Sequence, residues 1–140
     1  MHEFLESESE QAVGEIQGDY VVISGRKGHR SLDQNKYLKD AQILEKAYIE
    51  ADDRDLLPRY AFYCAQSYKD AELFDQAIEW YKKRVELDSG WADEKYCSFE
   101  QLGLLYERKK NDKEALSYWQ MGIAHDPQRA ECWYHSARRH

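Results

Sequence analysis

Apolar residues recur at intervals of three and four from residue 31 to the C-terminus, which is the spacing of one buried face on an α-helix. Residues 1–30 are different, because they hold four of the seven glycines and a run rich in β-branched residues. Glycine is unfavourable inside helices. The chain therefore divides into a segment 1–30 and a helical domain 31–140. The spacing is clearest in the first helix, at Tyr37, Ala41, Leu44, Ala47, Tyr48 and Ala51.

Capping and breaking residues divide the helical domain into six predicted helices. Ser31 and Gln34 fit a capping box at the start of the first, and Asp75 is expected to cap the third. Pro58 and Pro127 suit the first turn of a helix, where no N–H is lost. The predicted limits are Ser31 to about Ala51, Pro58 to Lys69, Asp75 to before Gly90, Ala92 to Lys109, Asp112 to about His125, and Asp126-Pro127 towards the C-terminus.

The N-terminal segment combines an acidic arm, a predicted strand and a basic loop. The arm, residues 3–15, is expected to be solvated, and residues 19–24 have the composition of a strand. A single strand needs a partner, which could be Phe4-Leu5 or a region outside this chain. The predicted fold class is therefore all-α, with a short N-terminal strand and loop.

Composition favours a single helical domain that binds other proteins. The 140 residues carry a net charge of −7, which disfavours nucleic acid as the main partner. No apolar run could span a membrane and no signal peptide is evident, so a cytoplasmic location is expected. Cys64, Cys97 and Cys132 are widely spaced and are interpreted as buried thiols in a reducing compartment, with no metal or cofactor.

A repeat is visible in the second half of the chain. Phe99, Leu102, Gly103 and Tyr106 are followed by an Ala-x-x-x-Trp pair, residues 115–119, and by Pro127. In this order and spacing, these residues resemble the tetratricopeptide (TPR) repeat. A second copy lies 38 residues earlier, and part of a third begins near Trp133. The helix at 36–51 would then be the facing helix before the first unit, and the stack would form an antiparallel helix-pair superhelix.

The TPR resemblance implies a concave groove lined by the first helix of each repeat, which holds a peptide or another domain of the same polypeptide. Both occupants remain open. The basic set that binds chaperone tails in some TPR proteins is not evident, which disfavours a carboxylate-tail ligand. The residues that would face the groove are Arg59, Phe62, Gln66, Lys69, Glu100, Leu104 and Glu107.

Two short segments carry charges that could serve chemistry. The loop from Gly25 to Ser31 lies between a predicted strand and a predicted helix start, where an anion can bind, although it can equally be a simple basic turn. Its candidate anion-binding residues are Arg26, Lys27, His29 and Arg30. Asp53-Arg54-Asp55 is formally an Asp-x-Asp sequence, but carboxylates in a polar interhelical loop are expected to be solvated.

A second resemblance covers nearly the whole chain. The chain is similar to the C-terminal TPR tail of bacterial and giant-virus family 2 (GT-A) glycosyltransferases. The resemblance rests on His2-Glu3-Phe4-Leu5, the strand at 20–24, Gly25-Arg26-x-Gly28-x-Arg30-Ser31, residues 35–45 and Arg59-Tyr60-Ala61-Phe62-Tyr63-x-Ala65-Gln66-Ser67-Tyr68. It implies that residues 1–30 are the edge of a catalytic domain, in which His2 would be the one candidate metal ligand.

The nucleotide-binding sheet of those enzymes and its Asp-x-Asp strand are missing from this sequence. We therefore expect an interaction module whose partner is a protein, a peptide or a catalytic domain of the same polypeptide, and no enzymatic activity from these residues alone. The alternative is the C-terminal part of a nucleotide-sugar glycosyltransferase. A further possibility is a homo-oligomer that associates through Trp91 or Trp133.

Overall fold

The computed structural model describes residue 33, residues 35–139 and the isolated Gly18. The chain divides into two compact units, residues 1–33 and residues 34–140, and the helices lie in the second. The predicted strand at 19–24, the acidic arm, the basic loop and the capping box of Ser31 and Gln34 lie outside the described residues.

Six α-helices account for most of the described chain, and no strand occurs among these residues. The helical class predicted for the main domain is therefore confirmed. The helices are α1 (Lys36–Glu50), α2 (Leu57–Asp70), α3 (Phe74–Glu86), α4 (Ala92–Arg108), α5 (Asp112–His125) and α6 (Ala130–Arg139), with a short 3-10 turn (Arg54–Leu56) before α2.

Two predicted helix starts are corrected. Helix α3 begins at Phe74, so that Asp75 lies in the first turn and does not cap it. The last helix begins at Ala130 and not at Pro127. The reason is local, because Asp126 Oδ1 accepts a hydrogen bond from the Gln128 N–H at 3.1 Å, which closes a separate turn before the helix.

Each helix packs against the next in sequence, and α2 also contacts α4. Because the connections are short, successive helices are antiparallel. One apolar core joins α1, α2, α3 and α4. A second, smaller core joins α4, α5 and α6 around the fully buried Trp119.

The turn between the two helices of a repeat unit occurs twice with the same hydrogen bonds, once between α2 and α3 and once between α4 and α5. Glu72 and Lys110 both adopt positive φ, 61° and 59°, and each is followed by a backbone bond that closes the helix end in the Schellman pattern. The Leu73 N–H donates to Tyr68 O at 2.9 Å, and the Asn111 N–H donates to Tyr106 O at 2.9 Å. The remaining bonds of the turn also match at a spacing of 38 residues: Ala71 to Ser67 and Lys109 to Leu105, Glu72 to Lys69 and Lys110 to Glu107, Ala77 to Leu73 and Ala115 to Asn111.

Small residues allow the paired helices to approach in both units. Ala65 and Ala77 are fully buried between α2 and α3, as is Ala115 between α4 and α5. The position equivalent to Ala65 is Gly103, where a Cβ would overlap the Trp119 indole. The small side chains at these positions therefore let the two helices of each repeat unit pack closely.

The 38-residue spacing between the two repeat units, α2–α3 and α4–α5, has a structural source. Helix α4 has 17 residues, whereas α2 has 14. The additional residues extend the N-terminal end of α4, beside the loop that follows α3. The sequence predicts extra length either in that loop or in the following helix, and most of it lies in the helix.

A buried arginine fixes the loop that joins α3 to α4. The Arg84 side chain is fully buried. It donates to Leu87 O at 3.2 Å and to Trp91 O at 2.8 Å. Its Nε lies 3.8 Å from Glu94 Oε2. Burial lowers the pKa of Arg84, while the Glu94 charge opposes that effect. Arg84 thus joins α3, the loop and α4 at one point.

Candidate functional site

We call the half-buried residues of α2 and α4 that were predicted to line a groove the first-helix surface. Six of the seven are half-buried on these two helices, so each presents part of its side chain to solvent. They are Arg59, Gln66 and Lys69 on α2, and Glu100, Leu104 and Glu107 on α4.

Phe62 does not belong to this surface. Its side chain is 7% exposed, and its ring meets those of Tyr63 and Tyr81 edge-on, with centroids 5.4 and 6.3 Å away. Tyr81 is fully buried on α3. Phe62 is therefore a core residue that fills space between α2 and α3, and its assignment to the groove is corrected.

One side-chain hydrogen bond links the two helices of the surface. Lys69 Nζ donates to Gln101 Oε1 at 3.2 Å. The bond holds the C-terminal half of α2 beside the middle of α4. Glu100 and Leu104 lie beside Gln101 on α4. The bond therefore also places Lys69, one of the residues predicted to line the groove, near both of them.

The two carboxylates of the surface are occupied by α6. Glu107 Oε1 accepts hydrogen bonds from Arg138 at 2.6 Å and from Arg139 at 2.8 Å. Burial acts to raise the pKa of Glu107, but the two guanidinium groups together outweigh it, and the pKa is lowered. The carboxylate is thus held ionised, and α6 extends the surface beyond the residues predicted from the sequence.

His135 contacts both α4 and α5. Its Nε2 lies 3.3 Å from Glu100 Oε1, and its ring stacks on Trp119 with centroids 5.2 Å apart. Trp119 in turn donates from Nε1 to Glu100 O at 3.3 Å. Glu100 is therefore engaged through both its side chain and its backbone.

The start of α6 is fixed by a tyrosine on α4. Tyr96 donates its hydroxyl proton to Glu131 Oε2 at 3.3 Å and accepts a hydrogen bond from the Cys132 N–H at 3.1 Å. Burial raises the pKa of Tyr96, while the hydrogen bond from the Cys132 N–H opposes that effect. The hydroxyl therefore stays protonated and able to donate.

Arg59 lies at the other end of the surface, near the start of α2. Its guanidinium group lies 5.6 Å from the Tyr63 ring centre and 5.7 Å from that of Trp91. A pocket of about 200 Å³ opens here, lined by Asp55, Leu56, Arg59, Gly90, Trp91 and Glu94. The Trp91 side chain is 67% exposed, so an aromatic face beside a cation is available to a partner.

Among the described residues, no group of three or more His, Cys, Asp or Glu side chains is placed to hold a metal ion. Asp53 Oδ1 accepts a hydrogen bond from the Asp55 N–H at 2.9 Å, so the Asp-x-Asp sequence caps the 3-10 turn. The predicted anion-binding residues Arg26, Lys27, His29 and Arg30, and the conditional metal ligand His2, lie outside the described residues.

All three cysteines are free thiols. Cys64 and Cys132 are buried, and Cys97 is half-buried, not fully buried as predicted. Burial raises the pKa of Cys64 to about 12 and that of Cys132 to about 11. Burial also raises the pKa of Cys97. A low thiolate population at neutral pH follows for all three.

No protein-family model matches the chain, and no curated protein matches it. Within the part of the chain that the structure describes, no helix is both long enough and apolar enough to cross a membrane.

The sequence interpretation missed residues at two places, one on α6 and one on α3. Arg138 and His135 complete the surface from α6, and Arg84 orders the loop beside Arg59. Arg84 follows Ala77 by seven residues on the same buried face of α3, so the helical period alone could have placed it in the core. No sequence signal identified Arg138 as a partner of Glu107.

Proposed function

We propose that this chain is a TPR-like interaction module that binds a protein or peptide segment on its first-helix surface. The observation that carries the proposal is the helix–turn–helix unit that recurs with the same backbone hydrogen bonds 38 residues apart. Stacking of such units creates a continuous row of first helices. In repeat proteins, a row of this kind is an extended binding surface.

The composition of the surface supports binding more than catalysis. Arg59 and Lys69 supply cationic groups on α2, and Leu104 supplies an apolar side chain on α4. The α4 carboxylates Glu100 and Glu107 are already paired with His135 and with arginines of α6. Because the carboxylates on α4 are already paired, the surface favours a partner segment that has an apolar residue near Leu104 and polar or acidic groups towards α2.

A site-specific photo-crosslinker tests the proposal in cells that express the full native protein. We would place it at Gln66 or Leu104, and at Glu79 as the control, because Glu79 is exposed on the second helix α3. The proposal predicts an adduct of one discrete mass from positions 66 and 104 and none from position 79. Equal labelling from all three positions, or no adduct from the first two, would contradict it.

The resemblance to glycosyltransferase tails names one specific partner, a catalytic domain of the same polypeptide. We keep this as the alternative form of the proposal, since it depends on residues 1–30. Mass measurement of the native polypeptide tests it. A product several times heavier than 16.7 kDa with a nucleotide-sugar-binding domain upstream supports the alternative. A native mass of 16.7 kDa rejects it.

A further inference from the structure

The pocket beside Arg59 lies between the start of α2 and the loop that joins α3 to α4. Its volume of about 200 Å³ equals that of roughly seven molecules of liquid water, which suits one long side chain. The charged groups in its wall are two carboxylates and one guanidinium, so the lining carries a net negative charge when both carboxylates are ionised. These groups belong to Asp55, Glu94 and Arg59.

The backbone that carries Trp91 in the wall of this pocket is fixed from two sides. Gly90 has a φ of +87°, and a Cβ there would lie 2.6 Å from Pro58 Cβ, so the loop packs directly on the start of α2. Arg84 donates to Trp91 O at 2.8 Å. The Trp91 side chain is nevertheless 67% exposed. The loop therefore presents an open indole ring without having to be ordered by a partner, which favours binding.

The Glu94 carboxylate in the same wall lacks a hydrogen-bond donor. Its side chain is only 10% exposed, and the nearest cationic atom is Arg84 Nε, 3.8 Å from Oε2. That distance is too long for a hydrogen bond, and Arg84 Nε has no hydrogen-bond partner. Among the described residues, no other donor reaches the carboxylate. Because buried carboxylates are normally hydrogen-bonded, the pocket offers a strong acceptor to a ligand that brings a donor.

The charges around Glu94 leave it incompletely compensated. Burial raises the pKa of Glu94, and the charges of Arg84 and Arg59 oppose that effect without cancelling it. An additional cation in the pocket would stabilise the ionised carboxylate. The exposed carboxylate of Asp55 lines the same pocket and would attract a cation as well. The electrostatics therefore favour a positively charged ligand group.

The aromatic rings beside the pocket already hold one guanidinium group. Arg59 lies 5.7 Å from the centre of the Trp91 ring and 5.6 Å from that of the Tyr63 ring, within the range of a cation–π contact. In the described part of the chain Arg59 forms no ion pair, so it does not bind the carboxylates of the pocket directly. A second guanidinium suits this site better than an ammonium, because it stacks on an indole and donates two parallel hydrogen bonds to a carboxylate.

We propose that this pocket takes one arginine side chain of a protein partner. The arginine guanidinium donates to the Glu94 carboxylate, lies against the exposed Trp91 ring and is attracted by Asp55. The inference rests on the proposed function, because Arg59 belongs both to the pocket and to the first-helix surface. It adds a chemical requirement to the partner segment, which needs an arginine at the end that lies over the start of α2.

A titration of the full chain followed by nuclear magnetic resonance tests the pocket. The probe is N-acetyl-arginine amide, and N-acetyl-citrulline amide is the control, since it has nearly the same shape and no charge. The reporter is the backbone amide signal of Gly90, which lines the pocket. We expect saturation by the arginine probe in the millimolar range, because a single residue offers few contacts, and roughly tenfold or more weaker binding of the citrulline probe. An unshifted Gly90 signal, or equal affinities for the two probes, overturns the proposal.

Substitutions in the pocket test which groups bind the probe. Trp91→Ala and Asp55→Asn should each weaken the arginine probe several-fold, and both alter exposed side chains that leave the fold intact. Their matched controls are Trp133→Ala and Glu79→Gln, which change an exposed tryptophan and an exposed carboxylate elsewhere and should leave the affinity unchanged. Equal affinities for Trp91→Ala and Trp133→Ala overturn the proposal.

Glu94→Gln tests the buried carboxylate itself. It should weaken the arginine probe by roughly tenfold or more, because a neutral amide replaces the charged acceptor. The variant also removes the charge beside Arg84, so circular dichroism must first show that it is folded. An unfolded variant leaves the decision to Trp91→Ala and Asp55→Asn, which do not touch Arg84, and a folded variant with native affinity overturns the proposal.

The failure of this inference can be told apart from failure of the proposed function. The probe titration reports on Gly90, whereas the photo-crosslinker reports on positions 66 and 104. With a captured partner, we expect Trp91→Ala and Leu104→Ser both to lower the affinity. A loss for Leu104→Ser with none for Trp91→Ala would overturn the arginine pocket and leave the first-helix surface as the binding site.

Discussion

The Trp119 indole fills the space that a side chain at Gly103 would need. A Cβ at Gly103 would overlap the indole ring, and Trp119 is fully buried. Trp119 Nε1 also donates to Glu100 O, so the ring is fixed and cannot turn aside. One absent methyl group therefore sets the spacing between α4 and α5, and with it the position of the first-helix surface on α4.

Replacing Gly103 with alanine should destabilise the fold by about 1–3 kcal/mol, the usual effect of overpacking a core. The direction is diagnostic, because Gly→Ala in an unobstructed helix interior is stabilising by roughly 1 kcal/mol. Urea unfolding followed by circular dichroism measures the difference in the free energy of unfolding.

A double-mutant cycle supplies the control for this prediction. Trp119→Phe shortens the ring, so Gly103→Ala should cost less in that background than in the native chain. If the two effects simply add, the loss at Gly103 does not come from contact with Trp119.

Removing Arg84 should be among the most damaging single changes. Arg84→Met leaves Glu94 buried without the cation beside it and removes the side-chain donor of the Trp91 carbonyl. We expect a loss of about 3–5 kcal/mol. Arg108→Met is the control, since Arg108 is exposed over Phe74, and its loss should stay below about 1 kcal/mol. Similar losses from both variants would show that Arg84 does not anchor the loop.

The sequence predicted the helices better than their ends or their surface. Pro58 and Gly90 mark real limits because their backbone chemistry is local. The prediction that Asp75 caps the third helix was wrong, because the positive φ of Glu72 lets α3 begin at Phe74. That turn depends on hydrogen bonds from both helices. Phe62 was misassigned for a similar reason: the period places it near the surface, while the edge-on contact with Tyr81 of another helix buries it.

Acid should loosen α6 through Glu107. Its pKa lies below the ordinary value of 4.5 in the folded protein because two arginines stabilise the carboxylate. A lowered folded pKa means that this stabilisation is present above 4.5 and is lost as the pH falls through the folded value. The unfolding free energies of the native chain and of Glu107→Gln should therefore converge in acid, from a difference of about 1 kcal/mol near neutral pH.

The pH series includes a matched glutamate control. Glu79→Gln removes an exposed carboxylate on α3 and should give a stability curve parallel to that of the native chain. If Glu107→Gln also runs parallel, the ion pairs with Arg138 and Arg139 contribute nothing to the pH dependence.

The cysteines should differ in their rate of alkylation. Cys97 is half-buried, whereas Cys64 and Cys132 are buried, so iodoacetamide at neutral pH should label Cys97 first and the other two only on unfolding. Slow reaction is expected throughout, because burial raises the pKa of each thiol. Mass spectrometry of tryptic peptides measures the order, and rapid labelling of Cys64 in the folded protein would contradict the core described for α1 and α2.

The affinity for the partner captured at the first-helix surface tests the central claim most directly. Titration calorimetry would compare the native chain with Leu104→Ser, and with Ile43→Ser as a control, since Ile43 is exposed on α1. Binding through the first-helix surface predicts a loss of at least tenfold, or about 1.4 kcal/mol, for Leu104→Ser and none for Ile43→Ser. Equal affinities for all three chains, with each confirmed as folded, would contradict the claim that this surface is the binding site.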